Sequence, residues 1–269
     1  MPHRPERLCL PLRIDGGKAA LPYITLKPTP SNYGIIRSSV KFLIKTFLII
    51  VSIFVVTSLI AVVAYRWLPV YCTPLMLIRS LQHPHDDTYT HWTHHWVGLD
   101  SISPYMPVAV MASEDQRFLR HNGFDFQAIR SAQEEYEAGG RLRGASTISQ
   151  QTAKNVFLWP TSSWIRKGFE IYFTVLIESL WPKERIMEVY LNSIEMGPGV
   201  YGVEAAARVN FGKHAWTLSR SNCALIAATL PNPIRLSSKS PSRYVLKRQR
   251  QIMRQMKSID FLKRPSESE

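Results

Sequence analysis

The sequence predicts a mainly α-helical domain behind a single membrane-crossing helix. Three observations carry that expectation: an uncharged apolar run from Thr46 to Tyr65, helical periodicity with capping residues through most of the chain after Val97, and no sustained apolar–polar alternation of the kind a strand would show. With 269 residues, 45% of them hydrophobic, the chain has material for one body of moderate size plus an anchor.

The run TFLIIVSIFVVTSLIAVVAY matches the length of about 20 residues that a helix needs to cross the hydrocarbon core. A cleavable signal peptide is the competing reading. The run lies far from Met1, however, and continues into Arg66-Trp67-Leu68-Pro69 rather than a small-residue cleavage site. Arg37, Lys41 and Lys45 crowd its N-terminal flank, so the positive-inside tendency leaves the first segment in the cytoplasm and the larger part outside, facing the periplasm or cell exterior. The expected division is a basic cytoplasmic tail over 1–45, the membrane helix over 46–65, a membrane-proximal linker over 66–96 and the main domain over 97–269. Residues 1 to about 36 are proline-rich and read as mobile. The linker holds His83, His85, His91, His94 and His95 interleaved with Trp92 and Trp96; without a clear helical framework, solvated or interfacial histidines are the reading favoured over a metal site.

Further along, Asp125 is placed to cap a helix to about Ala138 with Phe126, Ile129, Ala132 and Tyr136 on one face, closed by Gly139-Gly140. Ser146-Thr147 opens a second to about Phe157, and Ser162 or Ser163 a third ending near Trp181. Pro182 suits the first turn of a fourth reaching Asn192. Helices over 202–211, 219–230 and 242–259 complete the domain, with no convincing strand.

A formal charge of +13, with basic clusters near both ends, fits an anionic membrane surface or substrate. Zinc-finger spacing, ribonucleoprotein-type aromatics and a basic heptad array are all absent, which argues against nucleic acid. Cys9, Cys72 and Cys223 are odd in number and scattered, so no disulfide scaffold is expected.

Three segments carry candidate chemistry. Glu114-Asp115-Gln116-Arg117-Phe118, followed by His121, Gly123 and Asp125, sets a carboxylate beside a cation; a solvated Glu titrates near ~4.3 and is a poor base, so Glu114 needs a partly dry pocket to take a proton from a hydroxyl. Gly144 to Asn155 opens a helix after a glycine, offering free amides together with Gln150, Gln151, Lys154 and Asn155 to a sugar or phosphate. The competing reading is a capped, solvated amphipathic helix. Arg166-Lys167-Gly168-Phe169-Glu170 brings two cations within helical reach of one carboxylate, against which stands an exposed ion pair contributing less than ~1 kcal/mol. Ile186, Met187, Val189, Tyr190 and Leu191 read as core, and the glycines from Gly197 to Gly202 as a turn.

Together these segments resemble the family 51 peptidoglycan glycosyltransferases, in particular the monofunctional transglycosylases of Gram-negative bacteria. The resemblance covers roughly His95 to Pro233 in five ordered blocks: SEDQRFLRHNGFD from Ser113, GASTISQQTAKNVF from Gly144, RKGFE from Arg166, KERIMEVYLNSIEMGPGVYGVEAAA from Lys183 and LSRSNCALIAATLPNP from Leu218. It implies a lysozyme-like, two-lobed helical body whose smaller lobe touches the lipid bilayer, and polymerisation of lipid II into β-1,4 glycan strands with inversion and release of undecaprenyl diphosphate. Glu114 matches the general base. Glu170 matches a second glutamate that organises the donor diphosphate and a divalent cation, usually magnesium (Mg2+). Arg117, Lys154, Arg166 and Lys167 match positions lining the diphosphate region, and Ser146, Thr147, Gln150, Gln151 and Asn155 the adjoining cleft. Asp115 and Phe118, from the first block, count with the substrate-contacting set. Trp159, Trp164, Phe169, Tyr172 and Phe173 are divided between interfacial aromatics and core.

Expected partners are lipid II, the growing strand, the bilayer and other wall-synthesis and division proteins, including a separate cross-linking enzyme, because the chain lacks a Lys-Thr-Gly triplet. Ala145, Thr152 and the Asn222-Cys223 pair depart from the usual pattern, the last with an expected effect on packing alone. A lytic enzyme on the same scaffold and a non-catalytic wall scaffold remain the alternatives.

Overall fold

The computed structural model describes residues 30–140, 144 and 146–260. Helix α1 (Pro30–Tyr65) is continuous over 36 residues, so helical order begins upstream of the apolar run and takes in the last part of the expected tail. Its stretch Arg37–Tyr65, whose most apolar 18-residue window has a mean hydropathy of 3.0, is long and apolar enough to cross a membrane. Compact packing divides the chain after Val56. Within the second unit, the Trp181 indole N–H donates to Val62 O (2.8 Å) and the Arg185 guanidinium to Tyr65 O (2.8 Å), satisfying carbonyls that the end of a helix leaves without intrahelical partners.

The second unit continues with α2 (Pro74–Gln82), α3 (Asp87–Thr90), β1 (Thr93–His94), α4 (Tyr105–Glu114), α5 (Phe126–Glu137), α6 (Ile148–Phe157), α7 (Trp164–Leu180) and α8 (Lys183–Ser193). After these come β2 (Glu195–Gly197), β3 (Val200–Tyr201), α9 (Val203–Phe211), α10 (Arg220–Thr229) and α11 (Arg243–Gln255). The predicted helix starts hold because each is written locally. Asp125, Thr147, Ser163, Ser219 and Ser242 all cap with side-chain oxygens, and Pro182 stands one position before its helix. Buried on every side from Met106 to Ala112, α4 forms the centre and packs against α10 and α11; α6 packs against α7 and α8.

Two expectations need correction, and a third observation adds to them. A small sheet exists, with order β1-β3-β2, β1 parallel and β2 antiparallel to β3. Its strands are two or three residues long, too short to display alternation. Residues 66–96 are not a linker: Thr73 caps α2, Met76 is buried against Tyr201, and β1 joins the sheet. Asn192 fastens this segment by accepting from Val97 N–H (3.0 Å) and donating to Val97 O (2.9 Å), while its own carbonyl lies 3.0 Å from His94 Nε2. Lastly, the apolar face of α5 is uncovered, with Phe126 74% exposed. The aromatics divide as expected, since Phe173 stacks on Phe157 at 4.5 Å within the core whereas Trp164 is exposed.

The departures from the family pattern are readable in part. Ala145 lies outside the described residues. The Thr152 hydroxyl bonds back to Ile148 O (2.9 Å), Asn222 completes a capping box with Ser219, and the buried Cys223 thiol is pushed up to about 12 by burial, so the pair serves capping and packing.

Gly199 turns from β2 to β3 with φ of +63°, and a Cβ there would meet Thr88 O at 1.8 Å. Gly168, inside α7, has nothing within 4 Å of where its Cβ would stand. Replacing Gly199 by Ala should therefore destabilise by about 2 kcal/mol or more, whereas Gly168→Ala should stabilise by roughly 0.5–1 kcal/mol. Denaturant unfolding of both variants checks the opposite signs.

Candidate active site

The site is assembled where the end of α4 meets the start of α6. Backbone at Asp115 is extended (φ −159°), so adjacent carboxylates diverge. Asp115 turns inward and accepts from the backbone N–H of Ile148 (3.1 Å), the first residue of α6, and from His121 Nε2 (3.0 Å). Thr147 and Gln150 close a capping box over the same turn, and the Thr147 hydroxyl donates to Gly123 O (2.6 Å). Free amides at this helix start are thereby used inside the protein.

Glu114 faces outward from the same junction. Its Oε1 lies 2.8 Å from the Ser113 hydroxyl, and its Oε2 accepts from Gln151 Nε2 (3.2 Å). Tyr190, whose phenol burial holds neutral, donates to Gln151 Oε1 (3.2 Å), which turns the Gln151 amide group toward the carboxylate. Arg248 of α11 donates to Ser113 Oγ (3.1 Å) and stands 3.9 Å from Glu114 Oε1. The Glu114 side chain is 13% exposed and held by neutral donors, with the Arg248 guanidinium at arm's length. A carboxylate in this setting keeps lone pairs available for an incoming proton.

Arg166 and Lys167, in the first turn of α7, both donate to Glu170, Arg166 Nη1 at 2.8 Å. Glu170 is buried, so the pair is no surface bridge, and its worth lies in orientation more than stability. Lys154 of α6 completes the cluster. Its ammonium is held below the ordinary lysine value mainly by burial, with Glu170 opposing and Arg166 and Lys167 adding. Together Lys154, Arg166, Gln151, Asn155 and Tyr190 line a cleft of about 310 Å³. Glu114 does not line it; the carboxylate adjoins it through Gln151.

Of the thirteen predicted site residues, Gln151, Lys154, Asn155 and Arg166 face this cleft, with Glu114, Lys167 and Glu170 attached to them. Four of the expected substrate contacts lie back from the cleft. Asp115 and Gln150 are buried hydrogen-bonding supports, Thr147 is a cap, and Phe118 is fully buried with Lys183 Nζ 4.5 Å from its ring centroid. Arg117 is drawn away to Asp125 (3.0 Å), while Ser146 is exposed beside α6 and lines none of the cleft. Two contributors escaped the sequence reading. Tyr190 read as core, though a buried phenol generally seeks a partner, and Arg248 lies beyond the recognised blocks.

Around Glu170 one carboxylate is shared by Arg166 and Lys167, with Lys154 alongside, so a divalent cation there would take most of its oxygen ligands and countercharge from the substrate diphosphate. Asp115, His121 and Asp125 present possible ligand atoms within 4.8 Å of one another. Their carboxylates, however, already accept from Ile148 N–H, His121, Arg117 and Ala128 N–H. That group serves as an internal strut.

A buried ammonium costs stability wherever it stays charged. Below the depressed Lys154 value the folded protein bears that cost; it is relieved as pH rises through that value toward the ordinary ~10.4. Lys154→Met is thus expected to melt no lower than the parent at pH 7, with the gap narrowing toward pH 10. Thermal scans across that range check it, and a widening gap would contradict the electrostatic reading.

Comparison with known proteins agrees with this geometry. The model of the family described as Transglycosylase matches residues 82–257. A biosynthetic peptidoglycan transglycosylase of Bacteroides thetaiotaomicron is 61% identical over 206 residues, covering 77% of this chain and 83% of that protein. Its namesake in Bdellovibrio bacteriovorus is 52% identical over 217 residues, covering 81% and 87%, and that of Rhodospirillum centenum 54% over 195 residues, covering 72% and 82%. Family match and relatives alike span the helices that carry Glu114, Lys154 and Arg166, and the chain belongs to the transglycosylase family, with its lysozyme-like helical fold.

Proposed function

We infer that this chain is a peptidoglycan glycosyltransferase that polymerises lipid II into β-1,4-linked glycan strands, with Glu114 as the general base. The observation that carries the reading is the pairing of a carboxylate held by neutral donors with a three-cation cluster on the neighbouring helices.

Glu114 removes the proton from the 4-hydroxyl of an incoming lipid II as that oxygen attacks the anomeric carbon of the growing strand. The new C–O bond forms as the bond to the diphosphate oxygen breaks, and a single displacement inverts the anomeric centre. Undecaprenyl diphosphate leaves with the electron pair. Negative charge grows on the leaving group, and Lys154, Arg166 and Lys167 stabilise it without rearranging. Glu170 positions the latter two. Burial of the Lys154 ammonium is functional here: a charge held in a partly dry site interacts more strongly with the departing phosphate than the same charge in water. A divalent cation bound with the diphosphate would be held through Glu170 and would supply further positive charge at the leaving group.

The apolar Arg37–Tyr65 stretch fits a single-pass membrane protein, as a lipid-borne substrate requires. Arg37, Lys41 and Lys45 at its start support a cytoplasmic N-terminus and a periplasmic catalytic body in the inner membrane. Other wall-synthesis and division proteins, among them a cross-linking enzyme, are the proposed partners.

Incubation with purified lipid II should yield lengthening glycan chains. Glu114→Gln should lower the rate about 10²–10⁴-fold with a nearly unchanged melting temperature, and Arg166→Met about 10²–10³-fold with a lower melting temperature, because it leaves the buried Glu170 under-compensated. Breakdown of preformed sacculi without polymer would favour a lytic enzyme, and full activity in Glu114→Gln would remove the mechanism.

A further inference from the structure

Beside the catalytic cleft lies a second hollow of about 550 Å³, within the ~300–1,000 Å³ typical of small-ligand sites. Pro233 lines both, and Glu195 of the first is followed directly on β2 by Met196 and Gly197 of the second. The chemistry of the two differs. None of the described residues lining the second hollow is acidic. Arg235 is exposed on its wall, and among the described residues no ion pair ties that guanidinium to a carboxylate. Ser237, also exposed there, accepts from the N–H groups of Lys239 and Ser240, both at 3.2 Å, so its lone pairs are used and its O–H is left to donate. Val209 and Ile234, 42% and 41% exposed, give the same hollow an apolar wall together with Met196.

These walls select among ligands. A diphosphate calls for several cations, and sugar hydroxyls call for acceptors as well as donors. One guanidinium and one free hydroxyl set over apolar surface suit a carboxylate borne on small aliphatic groups. A short peptide has that composition, and lipid II carries a pentapeptide with free carboxylates on its disaccharide. We propose that this hollow is a subsite for the stem peptide of the substrate. Arg235 and the Ser237 O–H donate to a peptide carboxylate, Met196, Val209 and Ile234 receive the small apolar side chains, and no bond is made or broken. The assignment rests on the glycan-polymerising reading, whose substrate brings the peptide to the neighbouring cleft. It makes Arg235 specificity-determining rather than catalytic.

The test measures polymerisation by the full-length protein of lipid II, of an analogue whose peptide carboxylates are all primary amides, and of one from which the peptide is removed. The parent should prefer lipid II over the amide analogue by about tenfold or more in kcat/KM, chiefly through KM. In Arg235→Met that preference should shrink to within about threefold while polymer is still made, and Arg235→Lys should keep part of it. Val209→Trp, which fills the hollow from an exposed position on α9, should raise KM for lipid II by about fivefold or more and leave the peptide-free analogue unaffected. Both substituted side chains are exposed, so neither variant depends on repacking the core. An undiminished preference in Arg235→Met, or equal use of lipid II and the amide analogue by the parent, would overturn the subsite and leave the polymerase reading intact. No polymer from lipid II with the parent protein would sink that underlying reading instead.

Discussion

One hydrogen bond sets the register of the site: the Asp115 carboxylate accepting from the first amide of α6. Helix starts expose unpaired N–H groups and the positive end of the dipole, so a buried carboxylate there is both satisfied and stabilising. Because Asp115 follows Glu114 directly, fixing one inward fixes the other outward. Gln151, three residues after Ile148, then falls against Glu114, and Lys154 one turn later enters the cleft. Base and cation are thus placed by one anchored helix, and Asp115 acts by holding the frame rather than by meeting substrate.

Around that frame the protein tolerates charge in places where apolar residues would pack more cheaply. Glu170 is nearly excluded from water, Lys154 is held below its usual basicity, and Glu195 is buried 3.9 Å from Arg79. Desolvation penalises each such group. In return, charges fixed before substrate arrives need not reorganise as negative charge develops on a leaving group. Hydrogen bonds carry the support: Lys183 to Glu178 and His121 O, Ser149 to Glu178, and Tyr190 to Gln151. These ties fasten α6, α7 and α8 so that the cations do not drift.

What the sequence disclosed follows the range of the interactions involved. Helix starts were legible because a capping side chain and the amide it receives are three or fewer positions apart, as at Thr147 and Ser219. The ion pairs of Glu170 were legible for the same reason, at spacings of four and three. Burial was not, and it decides between a surface bridge and an oriented cluster. Nor could spacing say which of two adjacent acids turns outward to Gln151, or that Tyr190 turns its hydroxyl to the same residue. The sheet and the placement of residues 66–96 escaped because they depend on partners far along the chain, such as Asn192 for Val97. On α5, periodicity correctly marked an apolar face whose exposure no periodic pattern reveals.

The parallel pairing of Thr93 with Val200 also bears on how the protein is made. A ribosome adding roughly 5–20 residues per second needs about 5–20 s to supply the roughly 100 residues between them. Throughout that interval α2 and β1 have emerged while their partner strand does not yet exist, and the side of Met76 that Tyr201 will cover stays open. The first portion of the body to be synthesised is therefore among the last to settle, and the nascent chain is most in need of protection over the residues that carry α2 and β1.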